Sequence, residues 1–161
     1  MIKGIHHSSF TVSNMERSLA FYRDVLGLKV LWDSKAEGIK FGGPLPDLLT
    51  GTTGTEQRIA FVTSGDSYIE LIEYTPTGKP QVDNKPSDTG SAHVCFNTDN
   101  IQSLFERLSE NKVRLHCSPQ DFGFGQVMYF RDPDGIILEA IQGEFPSVAT
   151  SSSWKRASGR P

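Results

Sequence analysis

Two histidines and two glutamates stand at matching places in the two halves of this 161-residue chain. His7 opens the segment GIHHSSFTV, and His93 lies in SAHVCFNT. Glu70 sits inside SYIELIEY and Glu139 inside GIILEAIQ, each in a run apolar enough for an internal strand. A carboxylate there is costly unless it is paired, protonated or bound to a metal. Imidazole nitrogen and carboxylate oxygen in a His₂Glu₂ set suit a divalent ion such as Zn, Ni, Co, Fe or Mn. One or two coordination positions would remain for water or substrate.

Strand alternation sorts the neighbours of these four residues, because successive side chains point to opposite faces. In the first strand His6 shares a face with Phe10 and Val12, whereas His7, Ser9 and Thr11 share the other. In the second copy Val94 and Phe96 face one way and His93, Cys95 and Asn97 the other. His7, Ser9, Thr11, His93, Cys95 and Asn97 therefore line the expected cleft, and His6 and His116 are expected not to be ligands. Cys95 reads as a small thiol, since nothing near it in sequence supplies the base that a nucleophile needs.

The elements that must position these residues come twice. SNMERSLAFYRDVLG has Ser13 and Glu16 in capping-box spacing, Met15, Leu19, Tyr22 and Leu26 on one stripe, and Gly27 at the stop, which predicts a helix. LKVLW predicts a short strand, residues 38–55 a Gly/Pro/Thr-rich loop or lid, and RIAFVT with SYIELIEY a hairpin. A polar connector at 75–90 carries three prolines and marks the module boundary. SAHVCFNT then predicts a strand, and DNIQSLFERLSEN a helix capped by Asp99 or Asn100. KVRLHC, QVMYFRD and GIILEAIQ predict three further strands, the last two joined at Asp132-Pro133-Asp134-Gly135. A constant offset pairs His7 with His93, Phe10 with Phe96, Asn14 with Asn100 and Leu19 with Phe105, so the architecture is an internal repeat.

Length and composition fit one domain over residues 1–144, with module 1 at about 1–78 and module 2 at about 88–144. The polar stretch 145–161, which contains Trp154, is expected to be a disordered tail. A net charge of −3 leaves no basic footprint for nucleic acid, and no apolar run approaches a membrane span. The two cysteines, Cys95 and Cys117, lack CxxC spacing, and no secretory leader is evident. Free thiols in the cytoplasm are the expectation.

GIHHSSFTVSNMERSLAFYRDVLGLKV resembles the opening β-α-β of the vicinal oxygen chelate superfamily, which includes glyoxalase I, methylmalonyl-CoA epimerase, fosfomycin and bleomycin resistance proteins and extradiol dioxygenases. The resemblance runs on through SYIELIEY, GSAHVCFNTDN and YFRDPDGIILEAIQ, and covers residues 4–142. It implies an α+β fold of paired βαβββ modules whose eight strands form an incompletely closed barrel (the glyoxalase-like fold) around a metal, usually in a homodimer. It also implies that the ligands come from the first and last strand of each module, at His7, Glu70, His93 and Glu139.

The departures carry information about substrate. Bacterial glyoxalase I places an arginine four residues after its first ligand histidine and an asparagine four after its first glutamate, both on glutathione. Here those positions are Thr11 and Tyr74, which argues against a glutathione hemithioacetal. Extradiol dioxygenases use two histidines and one carboxylate, so Glu70 is a ligand too many. Fosfomycin transferases also lack a glutamate at the Glu70 place, and bleomycin-binding relatives lack the ligands. The expected activity is a metal-dependent, glyoxalase-like isomerase or lyase that abstracts a proton next to a carbonyl of a small vicinal-oxygen substrate. Glu139 is the favoured base and Glu70 the other candidate. Phe122 and Phe124 offer apolar contacts. The competing expectations are a bleomycin-resistance-type protein that sequesters a small molecule without turnover, and a dioxygenase.

Overall fold

The computed structural model describes residues 1–80 and 83–143. Trp154 and the expected tail at 145–161 lie outside the described residues. The chain divides into two compact units, one of residues 1–84 with 133–135, the other of residues 85–132 and from 136 onward.

In the first unit β1 (Ser8–Val12) leads into α1 (Met15–Leu19), which continues as a π-helix over Ala20–Val25. β2 (Lys29–Asp33), β3 (Phe41–Gly42), α2 (Pro44–Thr50), β4 (Glu56–Ser64) and β5 (Ser67–Thr75) follow. The strand order is β1-β5-β4-β2 with β3 also on β4, and β1 runs parallel to β5. Met15, Tyr22, Val62 and Leu71 are fully buried, so the stripe read from the sequence is the face that α1 turns inward.

The second unit repeats the plan. β6 (His93–Asn97), α3 (Ile101–Glu110), β7 (Gln120–Asp121), β8 (Gly125–Arg131) and β9 (Ile137–Gly143) give the order β6-β9-β8-β7, again with first and last strands parallel. Ile101, Leu108, Met128, Phe130 and Leu138 form its core. The repeat holds down to register: Ser9 pairs with Glu70 in β1–β5, and Cys95 with Glu139 in β6–β9. Neither sheet closes on itself.

Several elements differ from the sequence reading. The cap of α1 is Asn14, whose side chain accepts from the Arg17 amide at 2.9 Å. Ser13 instead gives its amide and hydroxyl to Asp134. The same capping geometry recurs at α3, where Asn100 accepts from the Ser103 amide at 2.9 Å. Residues 38–55 hold a helix as well as a loop: Pro lies in the first turn of α2, and Gly51 closes it at φ 68°. Those are the residues a short helix wants at its ends. KVRLHC forms no regular strand. Leu115 makes one bridge to Phe130, flanked by bonds from the Arg131 amide to the Arg114 carbonyl and from the His116 amide to the Tyr129 carbonyl. β1 begins at Ser8, so His6 and His7 precede the strand rather than lying on it.

Candidate metal centre

Each unit builds one histidine–carboxylate pair. In the first, His7 Nε2 lies 3.3 Å from Glu70 Oε2, with one third of the His7 side chain exposed and Glu70 largely covered. Because His7 precedes β1, contacts rather than strand alternation place it. Its ring meets the edge of Phe61 at 5.8 Å, and its Nδ1 lies 2.8 Å from Nδ1 of His6. One of those two nitrogens must carry the proton and donate. Which ring donates depends on the tautomer each adopts.

In the second unit His93 Nε2 lies 2.9 Å from Glu139 Oε2. This pair has more company. Tyr129 faces Glu139 across the β8–β9 ladder, donates its hydroxyl to that carboxylate and brings the same oxygen within 3.4 Å of His93 Nε2. Its ring stacks on His116 at 6.1 Å, and Arg131 Nε donates to His116 Nε2 at 2.9 Å. Cys95 gives its thiol to Glu139 as well. Burial first, then the nearby carboxylate, push the Cys95 thiol up to about 12 and the Tyr129 phenol up to about 12. Both groups are therefore neutral donors at physiological pH.

The two pairs fit metal ligation by their own geometry. Ligands about 2.1 Å from one ion lie roughly 3.0 Å apart at right angles and about 3.4 Å apart at the tetrahedral angle. The observed 2.9 and 3.3 Å fall within that spread, which overlaps the range of a direct imidazole–carboxylate contact. Among the described residues, no three His, Cys, Asp or Glu side chains gather into one group that could hold a metal. Each unit by itself thus supplies one nitrogen and one oxygen.

The remaining cleft residues are placed as follows. Ser9 and Thr11 are exposed on β1 beside Glu70 and Ile72, and Asn97 is exposed beside Ile141. Phe122 and Phe124 meet each other at 6.0 Å around Gly123. Cys95 and Cys117 are free thiols. Sequence reading missed Tyr129 and Phe61, the residues facing the two glutamates across β8–β9 and β4–β5. Their signal was in the pairing of distant strands rather than in any local motif.

The sequence matches the model of the Glyoxalase/Bleomycin resistance protein/Dioxygenase superfamily over residues 4–140. The chain belongs to that superfamily. It is 30% identical over 144 residues to the metallothiol transferase FosB of Staphylococcus haemolyticus, a match covering 89% of this chain and 86% of that one. It is 27% identical over 141 residues to the lactoylglutathione lyase of Salmonella typhimurium, covering 86% and 91%. The crystal structure of a glyoxalase family protein from Bacillus cereus superposes with a TM-score of 0.77 at 20% identity, covering 90% of this chain and 97% of that one. The fold is therefore the α+β glyoxalase fold of paired modules. One structural neighbour, a variant of the fosfomycin resistance protein FosX from Listeria monocytogenes, was solved in complex with Mn(II) and 1S,2S-dihydroxypropylphosphonic acid. Among the described residues, no helix is long and apolar enough to cross a membrane.

Proposed function

We propose that this chain is a metal-dependent isomerase or lyase that removes and returns a proton next to a carbonyl of a small vicinal-oxygen substrate. The candidate ligands are His7 with Glu70 in the first unit and His93 with Glu139 in the second. The observation that carries this reading is the pair of His–Glu contacts, one per unit, at ligand-to-ligand spacing and in the same strand register. A divalent ion bound by these residues would supply Lewis acidity to the substrate oxygens beside the proton that leaves.

The chain's own residues divide the remaining work. Glu139 receives donors from Cys95 and Tyr129, bonds that keep it in place. Glu70 meets only His7 among the described residues and faces the Phe61 ring. A carboxylate with one partner and an apolar neighbour is free to swing and take a proton. This supports Glu70 as the base over Glu139, with Glu139 the steady ligand. His6 holds the ring of His7. A homodimer, as is usual in the superfamily, is part of the proposal.

A second reading, thiol transfer, is favoured by the FosB match. Both readings need a metal, so metal content is measured first: about one divalent ion per chain is expected, and His7→Ala should abolish its uptake. Solvent deuterium exchange into α-hydroxy carbonyl and thioester compounds then separates the readings. Exchange lost in Glu70→Gln supports proton abstraction. Consumption of a thiol with no exchange supports transfer. A protein that takes up no divalent metal refutes both, and leaves small-molecule sequestration.

A further inference from the structure

The face of the first sheet that carries Glu70 also carries a run of aromatic rings ending in an unpartnered amide. Phe61 pairs with Glu70 across β4–β5, so the two side chains share a face. Trp32 pairs with Phe61 across β2–β4, and Phe41 pairs with Gln57 across β3–β4. Gln57 lies four residues from Phe61 and therefore on the same face. The alternate residue Arg58 points the other way, reaching Glu16 on α1 and Asp33.

The rings run on from His7: His7 to Phe61 at 5.8 Å, Phe61 to Trp32 at 6.3 Å, Trp32 to Phe41 at 6.3 Å. All three apolar rings are half-buried. Spacings of this size are those at which an additional ring is received edge-on or offset. At the far end Gln57 is 8% exposed, and its Nε2 is buried with no hydrogen-bond partner. A buried donor without an acceptor is a cost that folded chains rarely carry, and one that an incoming acceptor would remove.

We infer that the substrate carries a planar aromatic group beside its vicinal oxygens and, beyond the ring, a carbonyl-type acceptor, received by Phe61, Trp32 and Phe41 and then by Gln57. This rests on the proposal that His7 and Glu70 face the reacting oxygens. Four residues of strand separate Glu70's partner Phe61 from Gln57, about 13 Å before the side chains reach inward. That spans one ring and a substituent.

The test is calorimetric binding of lactate, mandelate and 4-acetylmandelate to the full chain with Zn²⁺, and of acetophenone to the metal-free chain. Mandelate should bind about tenfold tighter than lactate. The acetyl group should add about fivefold more. Trp32→Ala should bring mandelate down to the level of lactate and leave lactate unchanged. Gln57→Leu should cancel only the acetyl gain. Acetophenone has no vicinal oxygens, so it probes the strip alone. If the acids fail to bind with Zn²⁺ while acetophenone still depends on Trp32 and Gln57, the metal reading falls and the strip stands. Equal affinities for lactate and mandelate, or acetophenone binding indifferent to both substitutions, overturn the inference. So does a Trp32→Ala variant that changes only the oligomeric state, since the strip would then be a protein interface.

Discussion

Replacing Tyr129 with phenylalanine removes one oxygen and leaves the ring. The hydroxyl donates to Glu139 and lies 3.4 Å from His93 Nε2. The ring's contacts, edge-on to His93 at 5.3 Å and stacked on His116 at 6.1 Å, survive the change. A hydrogen bond to an ionised carboxylate is worth about 1.5–3 kcal/mol. Tyr129 is only half-buried, so water competes for Glu139 and the lower end applies, about 1.5 kcal/mol. That energy corresponds to roughly a tenfold weaker metal affinity, within the range for outer partners of metal ligands. The assay is competition for Zn²⁺ against a chromophoric chelator at pH 7.5, with circular dichroism to confirm an unchanged fold. A folded Tyr129→Phe protein that binds Zn²⁺ within about twofold of the parent refutes the assignment of Glu139 and His93 as ligands supported by Tyr129.

Other perturbations follow from the same structure. Asp134 lies below the usual carboxylate range: burial raises it, but bonds from Ser13 and Arg17 together outweigh that. Its contribution is therefore present above the ordinary carboxylate range and lost as pH falls through its depressed value. Asp134→Asn should cost about 1–2 kcal/mol at pH 7, a fall in Tm of roughly 2–8 °C by calorimetry. The difference should vanish in strong acid, and one that persists there would count against the contact. Cys95 is an exposed residue, but its thiol, pushed up by part burial and by Glu139, should react with iodoacetamide at pH 8 more slowly than free cysteine. Labelling at the free rate, read site by site by mass spectrometry, would contradict the Glu139 contact. Arg58 joins Asp33 and Glu16, and both its own side chain and that of Asp33 are largely covered. Arg58→Met should destabilise by about 2–3 kcal/mol through the stranded Asp33, and adding Asp33→Asn should restore most of it. A double mutant as unstable as the single would show that packing, not charge, is at work.

What the sequence determined by itself is what depends on near neighbours. The repeat was visible because Asn14 and Asn100, or Glu70 and Glu139, stand in equivalent local patterns. The apolar stripe of Met15, Leu19 and Tyr22 named the buried face of α1 because helical periodicity is a property of a few adjacent turns. The carboxylates at 70 and 139 drew attention because each breaks an apolar run. The helix at Pro44–Thr50 was hidden by composition, since the proline and glycines that read as loop are also the end signals of a short helix.

Tertiary structure decided what surrounds each ligand. His7 precedes β1, so its place comes from Glu70, Phe61 and His6 rather than from alternation. Tyr129 beside Glu139 but Phe61 beside Glu70, the rings of Trp32 and Phe41, and the orphan amide of Gln57 all follow from which strand pairs with which and in what register. Register joins residues far apart in the chain, and it is selected by burying one whole face of a sheet at once. Near-neighbour patterns could name the four candidate ligands. The partners that make the two glutamates unequal are set only when the strands assemble.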